Sequence, residues 1–214
     1  RGLVAGYLTL LKDRRFLRPA IIMACSVGSL YTLATILPFV LIDEAGLTPT
    51  EFGVGMLAQS GACMLGSVAM NRLLAATDAH RLVPIGLALI VGGALLLPLL
   101  ALLVEPGFLT VMGPVGVLAF GIPFVMPSML TESLAPFPHI AGAAAALSGF
   151  LQMGGGLLGS ALAAIMGEPV LALATIVPAM ALLALAAHLM LQGGATRAGE
   201  ARPERLVEPR TRAE

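Results

Sequence analysis

The sequence predicts an all-α membrane protein, a polytopic bundle of six transmembrane helices. Three observations predict it. First, 58% of the 214 residues are hydrophobic and only 11% are charged. A soluble domain carries about 25% charged residues, so these few cannot coat a soluble globule of this size. Second, six windows reach the roughly 20 apolar residues that cross a bilayer without one Asp, Glu, Lys or Arg. Third, the basic residues gather in alternate breaks between those windows.

The chain opens with residues 1–18, which read as a cytoplasmic linker. They mix apolar and basic residues as an interfacial helix does. The six-helix domain covers 19–192, with spans at about 19–42, 52–71, 82–104, 108–130, 141–166 and 169–191. A charge at the centre of any of them would cost about 2.5–3.5 kcal/mol on insertion. The breaks are short and carry turn chemistry. In 43–51, Thr50 is the expected cap of the second span. Glu105-Pro106-Gly107 and Gly167-Glu168-Pro169 form two others, with Pro169 suited to a first helical turn. Such loops make successive helices antiparallel. Residues 193–214, rich in Arg, Glu, Pro and Ala without hydrophobic period, read as a disordered cytoplasmic tail.

Orientation follows from charge. Arg1, Lys12, Arg14, Arg15 and Arg18 precede the first span, and Arg72 and Arg81 flank the second break. Arg197, Arg202, Arg205, Arg210 and Arg212 follow the last span. The opposite loops hold Asp43, Glu44, Glu51, Glu105 and Glu168 and no Lys or Arg. The positive-inside rule puts both chain ends in the cytoplasm. Net charge is zero, so no basic field attracts nucleic acid. Cys25 and Cys63 lie in apolar stretches without metal-type spacing and read as packing residues.

Polar residues concentrate in spans one, two, four and five, which leaves the third and sixth fit for lipid on most of their circumference. Leu37-Pro38-Phe39-Val40 in span one resembles Ile122-Pro123-Phe124-Val125 in span four. Together these features predict two inverted three-helix repeats. Small residues form continuous faces: Ala24, Gly28 and Thr32; Ala58, Ala62 and Gly66; Gly155, Gly159 and Ala163.

No HExxH, GxSxG or P-loop pattern is present, and no enzyme is expected. The polar residues towards the middle of the spans, Tyr31, Thr35, Gln59, Ser148 and Gln152, are the candidates for binding an amphipathic, drug-like compound. Pro38 and Pro123 each free a carbonyl and are hinge candidates. Glu132 reads as a solvated interfacial carboxylate or a gate, and His80, His139 and His188 as interface-solvated histidines.

Three stretches carry a resemblance. They are Ala141-Gly142-Ala143-Ala144-Ala145-Ala146-Leu147 with Gln152, then Leu37-Pro38-Phe39-Val40-Leu41 with Gly46-Leu47-Thr48-Pro49 and Phe52-Gly53, and Leu11-Lys12-Asp13-Arg14-Arg15-Phe16-Leu17. They resemble the C-terminal half of major facilitator superfamily transporters, of the bicyclomycin- and chloramphenicol-resistance type of drug/proton antiporter. The resemblance covers residues 8 to 190. It implies half of a major facilitator fold in a bacterial inner membrane. It also implies a missing N-terminal six-helix half as partner, and a proton as coupling ion with no other cofactor. The family's gating motif falls on Ser67-Val68-Ala69-Met70-Asn71-Arg72, where Asn71 stands in place of the usual Asp. The rival expectation is a stand-alone six-helix protein that homodimerises through its small faces in a structural or assembly role.

Overall fold

A computed structural model describes residues 2–105 and 107–191. The expected tail at 193–214 lies outside them. Two short segments, a π-helical Phe39–Glu44 and a 3₁₀ turn Pro138–Ile140, interrupt seven α-helices. These are α1 (Gly2–Lys12), α2 (Arg14–Pro38), α3 (Pro49–Leu74), α4 (Ala79–Leu103), α5 (Phe108–Leu134), α6 (Ala141–Met166) and α7 (Pro169–Met190). Six are long and apolar enough to cross a membrane, α2 to α7.

Most helices run past the expected windows, because charged residues are good helix formers once past the apolar stretch. So α2 begins at Arg14, capped by Asp13, whose carboxylate accepts from Arg15 N at 2.8 Å. Likewise α5 continues through Glu132 to Leu134. The cap of α3 is Thr48, not Thr50. Pro49 fixes the first helical position, and Thr48 forms a reciprocal capping box with Glu51. At Pro169 the expectation is met: it opens α7, after Gly167 turns the chain at φ 69°.

Arg18, near the start of α2, meets Glu132 and His188 near the ends of α5 and α7. Thr35, late in α2, meets Ser160, late in α6. The bundle therefore has a basic end and an acidic end, in the alternation that short loops require. The helix neighbours repeat between the two halves: α2 packs on α6 and α7, while α5 packs on α3 and α4. Exchanging the sets α2–α4 and α5–α7 leaves this pattern unchanged, as two related three-helix repeats demand.

The core lies where α2, α4, α5 and α7 meet, around Leu33, Leu37, Leu87, Ile90, Leu118, Val125 and Val177. A smaller cluster of Leu10, Phe16, Ala20, Ala144 and Leu147 fixes α1 against α2 and α6 at the basic end. The buried share of each span ranks them. It is 61% for α2 and 56% for α5, 39% for α4 and 44% for α7, but 11% for both α3 and α6. The third and sixth spans are thus not the most exposed; the polar second and fifth are. Two all-apolar helices can bury against each other within the unit. The small, hydroxyl-bearing faces of α3 and α6 are only partly used here.

Candidate functional site

The seam between α2 and α6 collects three of the five expected binding residues. Close approach makes the seam. A Cβ built on Gly155 would stand 2.7 Å from the Ala24 carbonyl oxygen, and one on Gly156 would meet Tyr31 Cβ at 2.6 Å. Only glycine lets the two backbones come this near. Tyr31 is 41% exposed, its ring standing beside the seam. Thr35, one turn on, donates to the Tyr31 carbonyl at 3.1 Å and shares a 2.9 Å hydrogen bond with the Ser160 hydroxyl. Gln152 is half-buried on α6, one turn before Gly156. Beyond them a groove of about 230 Å³ opens towards the acidic end, lined by Thr35, Phe39, Ser160, Ala164 and Pro169 among others. Its walls are apolar, with the two hydroxyls as polar points, the composition that suits an amphipathic ligand.

The other two candidates stand apart. Gln59 is on α3, which packs on α5, and its buried Oε1 has no hydrogen-bond partner among the described residues. Ser148 is 1% exposed, and its hydroxyl likewise lacks a partner. It lies within the protein rather than on an open wall.

The gating candidates also separate. Asn71 and Arg72 are exposed at the basic end of α3. Pro38 ends the α-helical part of α2 and directly precedes the π-helical turn Phe39–Glu44. Pro123, by contrast, sits inside a continuous α5 together with Pro114 and Pro127.

Glu132 has the most developed surroundings. Its Oε1 accepts from Arg18 Nη1 at 2.6 Å, and Arg18 Nη2 lies 3.3 Å from His188 Nδ1. Arg18 is 8% exposed and His188 6%. Neither was anticipated. Arg18 reads in the sequence as one of several basic flanking residues, and His188 as solvated at an interface. Glu132 is not a solvated carboxylate. The one available signal was that Glu132 is the only acid in the break from 131 to 140, facing a side otherwise marked by arginines. Ser160, which completes the seam with Thr35, was likewise not among the candidates.

The small faces are used in part inside the chain, and Ala58 of α3 stays exposed. Those of α2 and α6 meet each other, and Gly66 of α3 lies against the Phe120 carbonyl of α5. Among the described residues, no group of three or more His, Cys, Asp or Glu is placed to hold a metal ion.

Comparison with known proteins gives consistent relatives. Multidrug transporters MdfA of Edwardsiella piscicida and of Edwardsiella tarda (strain FL6-60) are each 28% identical to this chain over 149 residues. The same identity and length hold for the multidrug transporter MdfA of Edwardsiella ictaluri (strain 93-146). Each match covers 69% of this chain and 36% of the relative, so the chain spans little more than a third of the proteins it matches. No protein-family profile matches it. With six apolar helices arranged as two three-helix sets, the chain is similar to drug/proton antiporters of the major facilitator superfamily and has the form of one six-helix half of such a transporter.

Proposed function

We propose that this chain is the C-terminal half of a proton-coupled multidrug efflux transporter of a bacterial inner membrane, working by alternating access. It supplies one wall of a central substrate cavity, and an N-terminal six-helix half supplies the other. The observation that carries the reading is the exposure of α3 and α6, buried for only 11% of their spans although they bear Gln59, Ser60, Ser67, Gln152 and Ser160. Polar residues in a bilayer face other helices or water, not lipid. Met64 and Met153, 65% and 59% exposed, lie on the same two helices and give an adaptable apolar surface. A partner half covering these faces, with a water-filled cleft between, satisfies both.

Tyr31, Thr35 and Gln152 form the substrate wall in this reading, with Gln59 across from them on α3. Uncharged donors and acceptors on an apolar wall favour varied amphipathic compounds over one tightly specified ligand. Rocking of the two halves exposes that wall to each side in turn. The basic end faces the cytoplasm under the positive-inside rule. A reporter active only outside the cytoplasm gives signal when fused after Gly46 and none after Asp78; the opposite result reverses the orientation.

The test is transport. Bacteria lacking their own drug pumps and expressing the full-length protein accumulate less ethidium than cells without it, and a protonophore abolishes the difference. Gln152→Ala changes which compounds of a cationic and neutral panel are excluded. Equal accumulation of every compound with and without the protein would refute the reading.

A further inference from the structure

We infer that α1 is an interfacial helix that binds anionic phospholipid. Its outer face seats among acyl chains, and the cations at its turn into α2 take the headgroups. The inference needs only a bilayer around the six spans and does not rest on the transport reading.

The two faces of α1 differ in what covers them. Tyr7 and Leu10, three residues apart, share one face. Leu10 is fully buried in a cluster with Phe16 of α2 and Ala144 and Leu147 of α6, and Tyr7 packs against that cluster. Leu8, Leu11 and Lys12, at spacings of three and four, share the opposite face. There Leu8 is 53% exposed and Leu11 42%. Two bare leucines beside a lysine, whose stem can lie along acyl chains while its ammonium stays at the headgroups, suit a helix lying in a membrane surface.

The joint with α2 sets the depth. Asp13 N donates to the Leu10 carbonyl at 3.2 Å, and the Asp13 carbonyl accepts from Phe16 N at 3.1 Å and Leu17 N at 2.9 Å. One residue thus ends α1 and opens α2, which holds α1 at the edge of the first span. The apolar stretch of that span starts at Pro19. At 1.5 Å per residue, Arg14 and Arg15 stand about 6–8 Å outside it. The polar layer of one leaflet is about 5–8 Å thick, so both arginines are at the depth of lipid phosphates.

Charge selects the lipid. Lys12, Arg14 and Arg15 are exposed. Asp13, among them, spends its carboxylate on Arg15 N as the cap of α2. Among the described residues, no carboxylate forms an ion pair with any of the three. The other described acids at this end are engaged elsewhere, Asp78 by Arg81 and Glu132 by Arg18. An anionic leaflet attracts such a run of cations, and a zwitterionic one gives it no net field. A guanidinium also meets a phosphate with two N–H donors at once.

Native mass spectrometry tests this on the full-length protein, released from nanodiscs with equal parts of phosphatidylglycerol and phosphatidylethanolamine. The wild type retains phosphatidylglycerol in preference. Replacing both Arg14→Gln and Arg15→Gln lowers that preference about tenfold. Arg81→Gln, which removes an exposed cation of α4 at the same end, leaves it unchanged. A benzophenone side chain in place of Leu11 crosslinks to phospholipid on illumination. Equal retention of the two lipids by the wild type would overturn the proposal. So would a double variant that retains lipid as the wild type does, an Arg81→Gln protein that loses as much as the double variant, or a crosslink from position 11 to protein instead of lipid.

Discussion

The two ends of the bundle are closed in different ways. At the basic end, Arg18, Glu132 and His188 join three helices that are far apart in sequence, and they do so out of water. At the acidic end the neutral Thr35–Ser160 hydrogen bond joins α2 to α6, and the capping is local. Thr48 and Glu51 cap one helix between residues three apart, and Gly167 turns the chain ahead of Pro169. There α2 ends in a π-helical turn, and a groove of about 230 Å³ separates it from α6 and α7. The difference teaches that a buried ion pair pins one end of this six-helix unit, while neutral contacts beside a groove hold the other. At the grooved end the loss of a cap is felt by one helix alone.

The sharpest way to break that comparison is to remove one partner of the buried pair. Glu132→Ala leaves the Arg18 guanidinium uncompensated, at a cost of about 3–5 kcal/mol. It lowers the unfolding midpoint in detergent more than any other change proposed here. If it matched a capping mutant, the basic end would not be pinned by this pair. Next comes Gly155→Val, which forces a side chain against the Ala24 carbonyl. Overpacking of this kind costs about 1–3 kcal/mol, and cysteine crosslinking between α2 and α6 reports the separation. Thr48→Ala is smaller still, about 1 kcal/mol for a lost cap. Its effect on hydrogen exchange is confined to the first turns of α3, whereas that of Glu132→Ala reaches three helices. The smallest is Arg81→Ala. Its partner Asp78 is 3.8 Å away and both side chains are about four-fifths exposed, so no change in the midpoint is measurable. A destabilisation there equal to that of Glu132→Ala would mean that burial is not what distinguishes the pair.

How much of this could be read from residues alone divides along physical lines. The spans were legible because insertion into lipid is decided by local composition, and windows such as 141–166 coincide with the helix that forms. The α2–α6 seam was legible in part. Glycine at four-residue spacing marks a close approach but does not say which helix approaches. Its partner, the Ala24–Gly28–Thr32 face, was visible only as a second face of the same kind. The basic-end cluster was not legible. Arg18, Glu132 and His188 belong to three helices, and nothing local to Arg18 separates it from Arg14 and Arg15, which are exposed three and four residues earlier. Arg14 and Arg15 share a helix face with Arg18, so depth decides it: they stand in the first turn of α2, at the end of the bundle, and Arg18 lies one turn further in. The exposure of α3 and α6 was hidden for the same reason. Polarity shows that a helix avoids lipid, but not whether its cover comes from the same six helices or from elsewhere.

The π-helical turn after Pro38 has a consequence for length variation. A π turn is an α turn that has taken in one residue more. The stretch from Phe39 to Glu44 is therefore where this chain carries an extra residue, with Val40 and Leu41 buried in the core and Asp43 and Glu44 exposed beyond them. Deleting one residue there converts the turn to ordinary α-helix and leaves the Gly28 and Thr32 contacts with α6, and the Thr48 cap beyond, where they are. The same deletion between Gly28 and Thr32 rotates the rest of α2 by about 100° and carries Thr35 away from Ser160. A deletion scan along α2, read by the yield of folded protein, is expected to show one tolerant island, and to find it at 39–44.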